Sequence, residues 1–239
     1  MNSIDPTAVV DPSAILGKNN TIGPHCYIGP DSIIGDNNNF TSHVVIGSPA
    51  QHKKVKSEGY IKIGHNNVFR EFSQVQQSCD PSLPTYVGNY CYLMKGAHVA
   101  HDCIIENFVT MANDVFLGGH TRVMMHTNIG PLSAIHQGQT IGSFCQIGMG
   151  SVVPKKTKVE PGTVFAGNPA QFLKKNERGL TEISSRKLEL EKIRYRGLVD
   201  ASSSGRVSSN EHGSMRVLRE WAKQCGTSIF EKLHDRTRS

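Results

Sequence analysis

The chain has 239 residues, only 37% of them hydrophobic and 7% aromatic, with 23 glycines and an excess of asparagine. No apolar run approaches the roughly 20 residues of a membrane-spanning helix, and the opening stretch MNSIDPTAVVDPS lacks the basic and apolar blocks of a secretory signal. The net charge of +6 is unevenly placed: residues 1–170 hold 11 basic and 11 acidic residues, whereas residues 171–239 hold 15 and 9. Two parts with different partners are therefore expected, a neutral one and a basic one.

From the N-terminus an aliphatic or aromatic residue recurs every six positions: Ile4, Val10, Leu16, Ile22, Ile28, Ile34, Phe40 and Ile46. The frame slips over residues 48–60 and resumes at Ile63, Phe69 and Val75. From Val87 to Phe165 it runs through fourteen consecutive apolar positions. A period of six matches neither a helix nor a strand meander. It fits a short strand, a tight turn and another short strand, with one inward aliphatic per side of a triangular coil. Gly often follows the aliphatic, and Asn, Asp, Pro or His comes next, as turns with positive φ require. Residues 1–170 are thus expected to form a mainly β parallel β-helix, with a loop at 48–60.

Cys26, Cys79, Cys91, Cys103 and Cys145 each fall four residues after an anchor. They are expected as small packing residues in a reducing, cytoplasmic compartment rather than as a disulfide or metal set. Ala166-Gly167-Asn168-Pro169 ends the repeat. Residues 171–239 are expected to be a basic α-helical region, helical over 171–199, with a Ser/Gly linker at 201–214 and further helices at about 215–224 and near Phe230.

Nine of the eleven histidines lie between residues 25 and 136. With a coil of about 18 residues, His101 stacks against Gly119 beside His120, and His136 stacks against Gly118. His101 and His120 occupy turn positions expected to face outward, with His98 and Asp102 nearby. Turn positions tolerate any polar residue, so one such histidine would mean little. Several in register, next to glycine backbone N–H groups, suit a general base beside an oxyanion site, the requirement of acyl transfer from a thioester.

Ala97-His98-Val99-Ala100-His101-Asp102-Cys103, Leu117-Gly118-Gly119-His120, Ala134-Ile135-His136-Gln137 and Ala166-Gly167-Asn168-Pro169-Ala170 resemble the acyl-(acyl carrier protein)–UDP-N-acetylglucosamine O-acyltransferases that begin lipid A synthesis. The resemblance implies a left-handed coil, a homotrimer with sites between subunits, and no metal or tightly bound cofactor. It makes His101 the general base, Asp102 the acid that orients it, and the Gly119 N–H the oxyanion donor. It places Gln51, His52, Lys54, Gln76, His98, His120, His136, Gln137, Asn176 and Arg178 at the substrate. Met149 falls where the family sets acyl length, and Met there in place of Gly implies a shorter chain. The co-substrate would be an acyl carrier protein thioester.

This chain departs from the family where the sugar is read. The family's Pro-Gln-Asp-Leu-Lys-Tyr is Ala50-Gln51-His52-Lys53-Lys54-Val55 here, and its Ile-His-Arg-Gly-Thr is Val75-Gln76-Gln77-Ser78-Cys79. A basic residue near the phosphate becomes Glu182, while Arg178 stands where an acid is usual. Four readings stay open: an O-acyltransferase on UDP-N-acetylglucosamine or a close analogue; an acyl- or acetyl-CoA-dependent N-acyltransferase on a nucleotide-linked amino sugar; a metal-dependent hydratase on the same coil; and an inactive scaffold. The basic excess, at Arg178, Arg186, Lys187, Lys192, Arg194 and Arg196, suits an acidic acyl carrier protein better than a nucleic acid or a membrane surface.

Overall fold

An inward aliphatic every sixth residue is buried only if each strand is short and each turn is nearly as sharp as the chain allows. The computed structural model, which describes residues 1–55, 59–181 and 183–203, has this form. Strands mostly two or three residues long build three sheets of ten, eight and seven strands, and all but the last strand pair in parallel with equivalents one coil away. The result is a left-handed parallel β-helix. Anchors from Ile22 to Val159 are buried in a single column. Ile4 is exposed because no earlier coil covers it. Beside the aliphatic column runs a ladder of buried asparagines: Asn20, Asn38 and Asn67 each accept a backbone N–H from the next coil at 2.7–3.0 Å. Each also donates its amide to a glycine carbonyl at 2.9 Å. Turns whose polar backbone points inward are satisfied in this way without water.

The third residue after most anchors adopts positive φ, including Asp102 at 60° and His120 at 59°. The expectation of Asn, Asp and His there holds in part, but Phe72, Tyr90, Phe108, Leu132 and Phe144 also occupy the position. Tyr90, Phe108, His126 and Phe144 stack in turn, with centroids 4.6–5.0 Å apart. Ring stacking between coils is the interaction that offsets the steric cost of this backbone region.

Equivalent residues normally lie 18 apart, as Asn20 and Asn38 do. Two coils are longer. Val75 pairs with Ile46 on one side and Val99 on the other, offsets of 29 and 24 residues. Both longer connections leave the second sheet and return to the third, so their described residues, 49–55 with 59–60 and 77–84, belong to the same corner of the prism.

The C-terminal part differs from the helical expectation. Residues 171–175 belong to a strand, Ala170–Lys175, antiparallel to Thr163–Gly167, which closes the last sheet edge. Edge pairing outweighs the helix propensity of this lysine-rich stretch. Helices α1 (Glu177–Leu180) and α2 (Ser185–Ser203) follow. Residues 201–203 of the expected linker continue α2; the rest of the linker, Glu182 and the further helices lie outside the described residues. No helix among the described residues is long and apolar enough to cross a membrane. The chain divides into two units, residues 1–195 and 196–239, the second described as far as Ser203.

Within the first unit α2 is tied to the solenoid by buried ions. Arg194 donates to Glu106, and its Nη1 lies 3.1 Å from Glu191. Glu191 accepts from Ser143 Oγ at 2.5 Å, and Arg122 Nη1 lies 3.5 Å from Glu106. Arg194 is therefore not an exposed docking residue: it is 7% exposed and committed to two carboxylates. Arg194→Ala would leave both buried carboxylates short of a partner. We expect unfolding free energy in urea to fall by about 3–5 kcal/mol. A loss below about 1 kcal/mol would show that α2 is anchored otherwise.

Candidate active site at one corner of the prism

Five successive coils contribute to the corner between the second and third sheets: residues 49–55 with 59–60, residues 77–84, His101-Asp102, Gly118-Gly119-His120 and His136-Gln137. His101 and Asp102 are neighbours, which on a strand would send their side chains apart. The positive φ of Asp102 turns the chain instead. Its Oδ2 then lies 2.6 Å from His101 Nδ1. With Nδ1–H donating to the carboxylate, Nε2 is left as the basic nitrogen.

The outward-facing ring expected for His101 is not what the fold provides. His101 is only 9% exposed. Its ring sits edge-on to His52 and His120, at centroid distances of 5.5 and 5.2 Å. A Cβ added to Gly119 would fall 2.6–2.7 Å from His101 Cε1 and Nε2. Only glycine fits there, and its backbone lies directly against the basic nitrogen. The turn position of Gly119 is held in other coils by Pro24, Pro30, Pro131 and Pro161. A position that accepts proline needs no N–H for the ladder, so the Gly119 N–H is available to a ligand.

Asp102 is enclosed on its other side. Its Oδ1 accepts from Ser78 Oγ and from the Cys79 N–H at 3.0 Å, and its own N–H donates to Thr85 Oγ1 at 2.8 Å. Burial opposes ionisation of this carboxyl, but the bonds from Ser78 and His101 and the nearby His120 and His101 outweigh it, holding the group below its usual range. Burial lowers His120 and His98. For His120 the adjacent Asp102, 3.6 Å away, pulls the other way. Burial first, then the charge of Asp102, push the Cys79 thiol up to about 11. Cys79 departs from the purely packing role of the buried Cys26, Cys91, Cys103 and Cys145. Its sulfur and ligand atoms of His101 and Asp102 lie within 4.8 Å of one another, a set with the donor types of a metal site. Metal binding by this set would have to release the thiol proton.

Other expected residues gather with differing success. The Gln51 N–H points to Gln76 Oε1 at 3.4 Å. Gln76 is fully buried, and its Nε2 has no partner among the described residues. His98 Nδ1 lies 3.1 Å from Gln74 Oε1, and Gln74 donates to Ser48. Lys54 is exposed, its N–H 3.3 Å from His52 Nδ1. His136 and Gln137 are exposed, with His136 Nδ1 2.9 Å from the Gln137 carbonyl. Met149, 76% exposed, stands on the corner between the first and second sheets rather than at the histidine corner. Asn176 caps α1 through Gly179 and donates to the Phe144 carbonyl, a structural role. Arg178 is exposed on α1.

Ser78, Cys79 and Thr85 were not expected at the site. The signal for them was the missing hexad between Val75 and Val87, which marks a bulge at this corner.

Residues 13–48 match the family described as bacterial transferase hexapeptide (six repeats). The acyl-[acyl-carrier-protein]–UDP-N-acetylglucosamine O-acyltransferase of Alkalilimnicola ehrlichii is 38% identical over 191 residues, 72% of this chain and 73% of that one. The protein of the same name from Synechocystis sp. is 36% identical over 137 residues, 57% of this chain. That match spans about half the relative's length, 49%. The solved structure of LpxA from Acinetobacter baumannii matches with a TM-score of 0.69 and 31% identity, covering 81% of this chain and 83% of that one. By identity, coverage and fold together, the chain belongs to the acyl-[acyl-carrier-protein]–UDP-N-acetylglucosamine O-acyltransferase family.

Proposed function

We propose that this chain transfers an acyl group, such as a 3-hydroxyacyl chain, from an acyl carrier protein thioester to the 3-hydroxyl of UDP-N-acetylglucosamine or a close analogue, as a step of lipid A synthesis. The observation that carries the reading is the buried His101–Asp102 pair with the Gly119 backbone against Nε2. His101 Nε2 takes the hydroxyl proton as the sugar oxygen attacks the thioester carbonyl. The Gly119 N–H receives the oxyanion of the tetrahedral intermediate. Collapse breaks the carbon–sulfur bond, and the imidazolium returns its proton to the departing pantetheine thiolate. Asp102 holds the ring and its charge in place without leaving its anionic form.

Gln76, buried with an unspent amide donor, supports a nearby polar acceptor such as a sugar. His98 and His120 flank the path of the acceptor, while His136 and Gln137 line the donor side. The outward face of the second sheet runs from the histidine corner to the corner of Met149 and carries exposed Phe116, with Leu132 at its far edge. An acyl chain or a second subunit would cover this apolar strip, which suits sites completed by a homotrimer. The exposed Arg178, Arg186 and Lys187 offer charge to an acidic carrier protein; Arg196, in the second unit, is exposed as well. The enzyme would work in the cytoplasm and need no tightly bound cofactor. A second reading, CoA-dependent N-acylation of a nucleotide-linked amino sugar, is favoured by His52, which stands beside His101 where the family it resembles has Asp.

Mass spectrometry of a matrix of acyl carrier protein and CoA donors against sugar nucleotides tests both. Product from UDP-N-acetylglucosamine and a carrier protein donor is expected, with kcat reduced roughly 100- to 10,000-fold in His101→Ala. Product only from an amino-sugar nucleotide and CoA would establish the second reading. No product with any pair, or activity that requires bound zinc, would reject both. Met149→Gly is expected to move the preferred donor to a longer acyl chain in the same matrix. An unchanged preference would place chain-length selection elsewhere.

A further inference from the structure

We infer that Ser78 is a positioning residue for the proton transfer, holding the Asp102 carboxylate so that its other oxygen faces His101. The inference rests on the reading above, in which His101 and Asp102 act as base and orienting acid. The Ser78 hydroxyl is itself fixed: its oxygen accepts from the Asp80 N–H at 2.9 Å. Its proton can reach the Asp102 carboxylate or the Asp80 carbonyl at 3.1 Å. A carboxylate is the stronger acceptor and the nearer one, so the proton goes to Asp102.

Asp102 Oδ1 thereby receives two donors from the 77–84 bulge, Ser78 Oγ and the Cys79 N–H. Oδ2 is left for His101 Nδ1. Ser78 is fully buried and Asp102 half-buried, so water does not readily replace a lost donor. The bulge arises from one coil whose register offset is 24 residues rather than 18. An uninterrupted repeat would put the turn residue 18 positions back beneath Asp102, as Asp102 lies beneath His120; the longer coil brings Ser78 and Cys79 there as well.

Removing the Ser78 donor withdraws stabilisation from the least protonated state of the pair. Proton loss from the pair then becomes harder, so its apparent titration moves to higher pH. Ser78→Ala is expected to lower kcat about tenfold to a hundredfold near neutral pH, the range for losing a hydrogen bond to a charged group. The acceptor KM should stay unchanged, and the acid limb of the kcat–pH profile should shift upward. NMR titration of histidine-labelled protein should show the His101 midpoint move the same way. Ser78→Cys keeps the side-chain size with a weaker donor and should fall between the two; it carries the same comparison should the alanine variant fail to fold.

Wild-type kcat and an unmoved His101 midpoint in Ser78→Ala would overturn the inference. So would a loss of kcat without any movement of the midpoint, which would mark a packing role. If the wild-type protein transfers no acyl group from any donor, the proposed function fails, but the His101 titration in the two proteins still decides the role of Ser78.

Discussion

Every feature of the site depends on the register of the six-residue repeat. An aliphatic at each sixth position has to turn inward, so residues one coil apart lie directly over one another. That single constraint brings Gly119 onto His101 and carries the Gly118 and His136 backbone up the same corner. Burial of each large anchor contributes about 1.5–3 kcal/mol. A register slip by one residue would reverse the facing of every anchor at once. The chemistry therefore inherits the stacking of His101, Gly119 and His120 from packing of the core.

Where the repeat lapses, the lapses serve the same corner. One longer segment lays His52 beside His101, and the next places Ser78 and the Cys79 N–H under Asp102. The outcome is a carboxylate that stays ionised despite partial burial, paired with an imidazole shielded from bulk water. Such an arrangement favours a base whose tautomer is set before substrate arrives, which removes reorganisation from the reaction step.

Much of this was legible in the residues. The period of six announces the coil, and its length places His101, Gly119 and His120 together. The positive φ of Asp102 was implicit in the turn composition, yet its effect on side-chain direction was not, because strand alternation argues the opposite. The contacts from residues 77–84 were hidden because a bulge breaks the periodicity on which such reading relies. Lysines and a Leu at 171–175 favoured a helix, but the open sheet edge took them as a strand. Arg194 looked like one of a series of surface cations, and nothing local marked its distant partner Glu106. Long-range pairing of buried ions has no sequence period.

The central claim is that this corner, with His101 Nε2 as the base, is where the acceptor is activated. A crystal structure of the protein with UDP-N-acetylglucosamine bound tests it most directly. The account predicts the sugar 3-hydroxyl within about 2.6–3.2 Å of His101 Nε2. A sugar nucleotide seated elsewhere, with its 3-hydroxyl out of reach of His101, would contradict it.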